Sequence, residues 1–224
     1  MKVRLISKST SPETSEFEGM NNAQDIVAYC ARVSNPSNQV NTETSERLIR
    51  YLVKHQHWSP LEMVNACLEI ETTRDIAHQI VRHRSFAFQE FSQRYANPEE
   101  QGDMFEYSEA RLQDTKNRQN SIETSDVELQ AWWDAQQKFV TKISKKIYDE
   151  ALGKGIAKEQ ARKVLPEGLT KTKLYMNGSL RSWIHYIELR SANGTQKEHM
   201  EIAHACAKVI AGIFPLMSEL QQGE

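Results

Sequence analysis

Long apolar runs are missing from this 224-residue chain. No stretch approaches the roughly 18 consecutive apolar residues of a membrane span, so no membrane partner is expected. The opening Met1-Lys2-Val3-Arg4-Leu5-Ile6 turns polar without an apolar h-region, which argues against a signal peptide. Cysteine is scarce: Cys30, Cys67 and Cys206 are the three present, widely spaced. They form neither a disulfide framework nor a zinc-type pair, and they suit a reducing, cytoplasmic setting. An excess of positive charge is also missing. The 28 Lys and Arg stand against 30 Asp and Glu, for a formal net charge of -2. The surface as a whole therefore does not attract nucleic acid, and any anion site must be built locally. There is no internal repeat.

What is present reads as one soluble α+β domain over residues 1–224, helices dominant, with a small antiparallel or mixed sheet. Lys2 to Ile6 is a short strand, and the Ser-, Thr- and Glu-rich residues 8–20 are loop. A helix begins near Asn22 with Ala23, Ile26, Val27 and Cys30 on one face. A second begins near Ser45 and buries Leu48, Leu52 and Val53, ending around His55. From Met63 to Thr72 apolar residues alternate, with Val64, Ala66, Leu68 and Ile70 facing one way, as in a half-buried strand. A helix with Ile76, Ala77 and Ile80 inward follows from about Thr73. Residues 97–126 are a long polar excursion of the kind that is usually functional or mobile. Leu129, Trp132, Gln136, Phe139, Ile143 and Ile147 define a long amphipathic helix. Shorter helices run from Lys158 to Leu165, stopped by Pro166, and from Ser179 to Arg190, with Leu180, Trp183, Ile184 and Ile187 inward. A last one spans Glu198 to Leu220 with Ile202, Cys206, Val209, Ile213 and Met217 on its buried side.

Chemistry concentrates after Asp75. Arg82, His83, Arg84 and Arg94 lie within about twenty residues, with Gln79, Glu90, Ser92 and Tyr95 among them. Gln79 and Arg82 share a helix face, and Arg82 to Arg84 sit near the helix C-terminus, where the dipole favours cations. Guanidinium forks match phosphate geometry. Arginines and a serine converging from two sides of one turn would make a nucleotide-phosphate pocket; the same residues also read as a solvated basic helix end.

R-H-R followed by seven residues and Ser, here Arg82-His83-Arg84 to Ser92 with Arg94-Tyr95 behind, resembles the signature of the flavin-dependent thymidylate synthases. Three further segments are similar to that family: Lys54 to Glu62 (K-H-Q-H-W-S-P-L-E), Gln160 to Pro166 (Q-A-R-K-V-L-P) and Asn177 to Arg190 (N-G-S-L-R-S-W-I-H-Y-I-E-L-R). The resemblance implies reductive methylation of dUMP to dTMP. FAD is the cofactor, and NADPH and methylenetetrahydrofolate are co-substrates. It places Gln79, Arg82, Glu90, Ser92, Gln93, Arg94, Arg162 and Arg190 at dUMP, with Arg190 the catalytic cation that favours ionisation of the uracil ring nitrogen. It places His57, Ser59, Glu62, Arg82, His83, Arg84, Glu90, Arg181 and His185 at FAD. The Asn177-Gly178-Ser179 loop contributes a further contact, for which Ser179 stands. It also implies a homotetramer with active sites between subunits. Two departures are visible: many members have Gly where Gln93 stands, and the run Ser191-Ala192-Asn193-Gly194-Thr195-Gln196-Lys197-Glu198-His199 stands where they have His-Ala-Gln.

None of the cysteines suits nucleophilic attack on a pyrimidine. Cys30 and Cys206 sit among alanines at core spacing, and Cys67 has no neighbouring cation; all three read as buried structural thiols. This agrees with chemistry carried by a flavin. Two other classes compete. A single-strand-binding module would use Arg82 to Arg94 with Phe86, Phe88 and Phe91 as stacking platforms, against the near-neutral charge. A metal hydrolase would use His55, His57 and His83, with Glu62 as a further ligand; fixed-spacing pairs are scarce, so no metal is expected.

Overall fold

Alternation in the 64–72 run is realised as a central strand, and the rest of the sheet is built on it. The computed structural model describes residues 2–14, 17, 19–20 and 22–220; the parts of the expected 8–20 loop at 15, 16 and 18 lie outside the described residues. In chain order, β1 (Lys2–Lys8) leads to α1 (Ala23–Ala31), α2 (Ser45–Lys54) and β2 (Asn65–Thr73). Next come α3 (Arg74–Ile80), β3 (Ala87–Glu90), the strands β4 (Arg111–Gln113) and β5 (Ser121–Glu123), and α4 (Val127–Gly153). The chain continues through α5 (Lys158–Ala161), β6 (Lys171–Ser179), α6 (Leu180–Ser191), α7 (Lys197–Ala211) and α8 (Met217–Leu220). One antiparallel sheet has the order β1-β2-β6-β3, and β4 pairs β5 in a separate ribbon.

The α+β expectation holds as a helix-rich chain with a small antiparallel sheet. Ala66, Leu68 and Ile70 of β2 and Leu174 and Met176 of β6 are buried on one sheet face, with Trp183, Ile184 and Ile187 of α6 and Ile202, Cys206 and Ile210 of α7 in the same core. The Trp183 indole N–H donates to the Ala66 carbonyl at 3.1 Å, so this large ring is buried without an orphaned donor. Asn22 caps α1 by accepting from the Gln24 and Asp25 amides. On β2, Glu69 is buried and is held by both Arg4 nitrogens, at 2.6 and 3.0 Å; that pairing keeps its carboxyl below the usual range.

Several expectations need correction. β3 and β6 were not read as strands. The stretch Asn177-Gly178-Ser179, expected as a loop, is the end of β6, paired with Asn65 to Cys67. Its glycine is there for packing: the Phe86 ring lies where a side chain would be. In α2 the buried positions are Ile49 and Leu52, with Leu48 and Val53 only partly covered. Lys158 to Leu165 is a single turn of α-helix followed by a 3-10 turn, Arg162–Val164. The last helix stops at Ala211, and Gly212 and Pro215 separate α7 from α8. Cys30 and Cys67 are partly exposed, although burial still pushes both thiols up.

The largest correction concerns α4. Its apolar stripe faces outward: Trp132, Phe139, Ile143 and Ile147 are 56, 61, 42 and 44% exposed. The inward face is polar, with Gln137, Thr141 and Tyr148 buried. Gln130 and Gln137, two helical turns apart, each grip the excursion at both backbone groups. Gln130 accepts from the Ala110 amide and donates to its carbonyl, and Gln137 does the same with Ser108. Two side-chain amides thus stand in for a strand edge and satisfy the 108–110 backbone. The excursion carries the β4–β5 ribbon, which Arg111 ties to Glu198, while Lys197 reaches Glu109 and Glu123.

A Cβ at Gly178 would stand 2.4 Å from Phe86 Cδ1 and 2.6 Å from Cε1. Gly178→Ala is expected to lower unfolding stability by about 1–3 kcal/mol. Phe86→Leu in the same chain should restore part of that loss in urea titrations. Equal midpoints for Gly178→Ala and the unsubstituted protein would contradict this packing.

Candidate functional site

Charged and aromatic side chains meet along α6. Ser179 opens that helix by accepting from the Ser182 amide at 3.3 Å, so its hydroxyl serves as the cap. One turn on, Arg181 donates to Glu62 at 2.6 Å, and His185 packs edge-on to Trp58 with ring centroids 4.6 Å apart. Glu62 and Ser59 belong to the 3-10 turn Ser59–Glu62, which follows Gln56 in a left-handed backbone at φ 57°; His57 is exposed there, and Trp58 is half-buried against the core. His57, Ser59, Glu62, Arg181 and His185 therefore share one edge of the fold.

From the other side, the turn after α3 brings in Arg82, His83 and Arg84. Ser182 Oγ donates to the Ser85 carbonyl at 3.3 Å, which pins this turn to α6. His83 Nε2 accepts from Arg190 Nε at 2.9 Å. Arg190 has no carboxylate within ion-pair distance among the described residues. Arg82 and Arg84 are exposed and make no side-chain hydrogen bond or ion pair with any described residue. Burial, then the neighbouring Arg190 charge, lowers the His83 pKa to about 4, so the ring is neutral and its Nε2 lone pair is free to accept.

The nucleotide set of residues divides. Gln79 is engaged inside the protein: its Nε2 donates to Gln196 Oε1 at 2.8 Å, and its Oε1 faces His199 Nδ1 at 3.3 Å. Glu90 accepts from Arg74 at 3.2 Å and from Thr172 at 2.9 Å. Ser92, Gln93 and Arg94 lie beyond β3. Arg94 reaches Glu159 at 3.4 Å and lies over the Tyr95 ring, while Lys158 donates to the Tyr95 carbonyl. This places them beside Arg162, whose side chain has no partner among the described residues. Gln93 is buried with its Nε2 donor unsatisfied, so the residue standing at the family's glycine position holds an unused hydrogen-bond donor.

The one-turn picture of the arginine cluster therefore fails. The four residues of β3 separate Arg82–Arg84 from Ser92–Arg94 by roughly 13 Å of extended chain. No side-chain hydrogen bond or ion pair among the described residues joins the two groups. A cleft lies elsewhere, between α3, the excursion and the start of α7. Asp75, Glu109, Glu198 and Glu201 line it together with Arg111 and Lys197, which pair with Glu198 and Glu109. Among the described residues no group of three or more His, Cys, Asp or Glu side chains could hold a metal ion.

Sequence reasoning missed Tyr186, His199 and Gln196. One signal was available: His199 lies at i-3 and i-7 from Ile202 and Cys206, so a polar ring sits on the apolar stripe of α7.

Comparison with known proteins follows the same lines. A family model described as thymidylate synthase complementing protein matches residues 17–216. A probable flavin-dependent thymidylate synthase of Paramecium bursaria Chlorella virus 1 is 48% identical over 219 residues, 98% of this chain and 98% of its own length. The flavin-dependent thymidylate synthase of Synechocystis sp. is 49% identical over 218 residues, 97% of this chain and 98% of its own. Among solved structures, a UMP/dUMP methylase, PolB from Streptomyces cacaoi, bound with 5-Br dUMP, aligns with a TM-score of 0.76 over 98% of this chain and 93% of its own. At 24% identity that likeness concerns the fold.

The two histidines make stability depend on pH. His199 is fully buried, and its pKa is lowered to about 3 by burial and then by Arg190 and His83. In the unfolded chain a histidine titrates near about 6.5, so between there and the folded values the unfolded state binds more protons. Their contribution is complete above about pH 6.5 and is lost as pH falls toward about 4 and about 3. The loss approaches about 1.4 kcal/mol per pH unit for His199 and is smaller for the partly exposed His83. Urea midpoints measured from pH 8 to pH 5 should fall below pH 6.5, and less steeply in His199→Gln. A flat profile would contradict neutral histidines in the fold.

Proposed function

The chain belongs to the flavin-dependent thymidylate synthases, and on that premise we propose that it methylates dUMP to dTMP reductively, with Arg190 as the cation that activates the uracil. FAD, once reduced by NADPH, supplies the hydride that completes a methyl group whose carbon comes from methylenetetrahydrofolate.

The residues present fit such a group. The turn after α3 offers two exposed guanidiniums without partners among the described residues, Arg82 and Arg84, and α6, to which that turn is pinned, carries the aromatic edge made by Trp58 and His185. Unpaired guanidiniums are donors for a diphosphate, and rings at the same edge suit an aromatic cofactor. His57, Ser59, Glu62, Arg82, His83, Arg84, Ser179, Arg181 and His185 are the flavin side of this proposal. Ser92, Gln93, Arg94 and Arg162 are the nucleotide side. Gln79 and Glu90, tied inside the protein, hold the walls of the site.

The observation that carries the reading is the bond from Arg190 Nε to a neutral His83. A guanidinium paired with carboxylate has its charge largely compensated. One oriented by an imidazole lone pair keeps its full charge, and its terminal nitrogens remain for the uracil. Such a fixed cation favours the pyrimidine with its ring nitrogen deprotonated, which raises the reactivity of carbon 5.

Self-association completes the site. One chain holds the flavin group and the nucleotide group at opposite ends of β3, and a second copy would bring the flavin end of one chain to the nucleotide end of the other. The outward stripe Trp132, Phe139, Ile143 and Ile147 is a ready surface for that contact. A homotetramer with shared sites, in a cytoplasmic setting, is the assembly proposed.

Purified protein should bind flavin, visible by its absorbance, and should release tritium from dUMP labelled at carbon 5 when given methylenetetrahydrofolate and NADPH. Arg190→Ala should lower that release by about 100-fold or more. Equal release from both proteins would remove Arg190 from its role, and failure to bind flavin would remove the assignment. Light scattering should give a mass above that of one chain. Phe139→Asp combined with Ile143→Asp should reduce the mass and the activity together.

A further inference from the structure

His199 lies where no substrate reaches, yet it is the hub of the polar contacts behind Arg190. It is 0% exposed, on α7, and both ring nitrogens are engaged. Nδ1 is 3.3 Å from Gln79 Oε1, an acceptor, so the proton is on Nδ1. Nε2 is then the acceptor for the Tyr186 hydroxyl at 3.1 Å. The polarity runs one way: Tyr186 O–H to His199, His199 N–H to Gln79, Gln79 N–H to Gln196.

Tyr186 is buried in turn and packs edge-on to His83, with ring centroids 4.8 Å apart and planes at 87°. His83 is thus set by two residues of α6: Arg190 at its Nε2 and Tyr186 at its face. The His83 and His199 rings stand 6.3 Å apart, also at right angles. The titratable groups facing His83 are Arg190 and Tyr186 from α6 and His199 from α7, with Cys206 of α7 behind Tyr186. No carboxylate among the described residues is paired with His83 or His199, so nothing there favours an imidazolium.

We propose that His199 is a positioning residue: by anchoring the Tyr186 hydroxyl it holds the Tyr186 ring against His83, and so keeps His83 oriented as the uncharged acceptor for Arg190. The proposal rests on the reading of Arg190 as the uracil-activating cation. Protonation of His83 would place a hydrogen on the nitrogen that Arg190 uses and replace an acceptor with a second cation. Partial burial under the Tyr186 ring and the Arg190 charge oppose this, in keeping with the lowered His83 pKa. Loosening Tyr186 both misaims Arg190 and lets water reach His83.

Two substitutions separate this path from simple support of the core. A Gln carbonyl reaches the position of the histidine Nε2, so His199→Gln keeps an acceptor for Tyr186. Asn reaches only the position of Nδ1, so His199→Asn keeps the Gln79 bond and loses the Tyr186 bond. In the flavin-bound enzyme at pH 8, His199→Asn should lower kcat by about 10–100-fold with KM for dUMP within about threefold, since small misplacements of a catalytic group act on the chemical step. Its kcat should also acquire a falling limb below about pH 6, as the hydrated His83 gains its proton nearer the usual range. His199→Gln should stay within about threefold of the unsubstituted enzyme, without the new limb. Histidine nitrogen NMR of the protein without substrates gives an independent readout: at pH 5.5 His83 should be neutral with its proton on Nδ1, and protonated in His199→Asn.

Unchanged kcat and pH profile in His199→Asn, or equal losses in the Asn and Gln variants, would overturn the proposal. If neither variant folds, Tyr186→Phe decides, because it removes only the hydroxyl: a kcat loss with the new limb supports the path, and unchanged behaviour overturns it. Arg190→Ala run alongside keeps the two readings apart. Activity retained there refutes the role of Arg190; activity lost there but kept in His199→Asn refutes the positioning role alone.

Discussion

The Arg190–His83 hydrogen bond can exist only while His83 is uncharged, and much of the surrounding architecture serves that condition. A histidine at the end of a short helix would ordinarily be hydrated and would titrate near about 6.5. Here α3 is followed by a turn that Ser182 ties to α6, and the Phe86, Trp183 and Tyr186 rings close over the space behind it, with centroids 4.8 to 6.0 Å apart. Phe86 reaches that position because Gly178 on β6 leaves room for it. The strand register that pairs Gly178 with Ala66 is thus linked, through two aromatic contacts, to the protonation state of one imidazole.

The excursion and α4 obey a different economy. Their contact is built from glutamine amides and backbone groups, with only a small apolar cluster of Met104, Tyr148, Ala161 and Leu165 at one end. A hydrogen-bonded interface of this kind contributes little net free energy, of the order of 1 kcal/mol per bond, but it dictates register closely. It leaves the apolar stripe of the longest helix facing outward. That orientation is the one the proposed packing of the chain against its own copy would use.

These two regions show what the sequence could and could not reveal. Local rules were legible where one element decides its own fate: the helix start near Asn22, the 64–70 alternation, and the inward face of α6 with Trp183, Ile184 and Ile187. The motif residues were legible as a set because their spacing is distinctive, although not their geometry, since the aromatic alternation Phe86-Ala87-Phe88 is too short to announce by itself the strand that divides them. β6 was hidden by Asn177 and Gly178, residues that usually mark turns; the glycine serves a close approach by Phe86 that depends on a distant segment. The period of α4 was correct and its direction was not, because periodicity finds a stripe without saying whether the partner is the same chain. Gln93 and His199 were undervalued for a related reason: the worth of a buried polar group lies in its partners, which only the folded chain supplies.

The same logic bears on why the site is split. A strand of four residues between two cationic turns keeps the arginines from repelling one another across a single surface while the chain is alone. Arg181, on the proposed flavin side, is already balanced by Glu62, and Arg94, on the proposed nucleotide side, by Glu159; both pairs are exposed and weak. Arg82, Arg84 and Arg162 remain uncompensated among the described residues. Charge that no carboxylate in the chain answers is cheap to hold in water and costly to gather into a closed pocket unless an anion arrives with it. In the proposed assembly, closure between copies and occupation by phosphate-bearing ligands would be coupled: each would lower the cost of the other, and Arg190, held by a neutral partner, would enter the pocket with its charge still available.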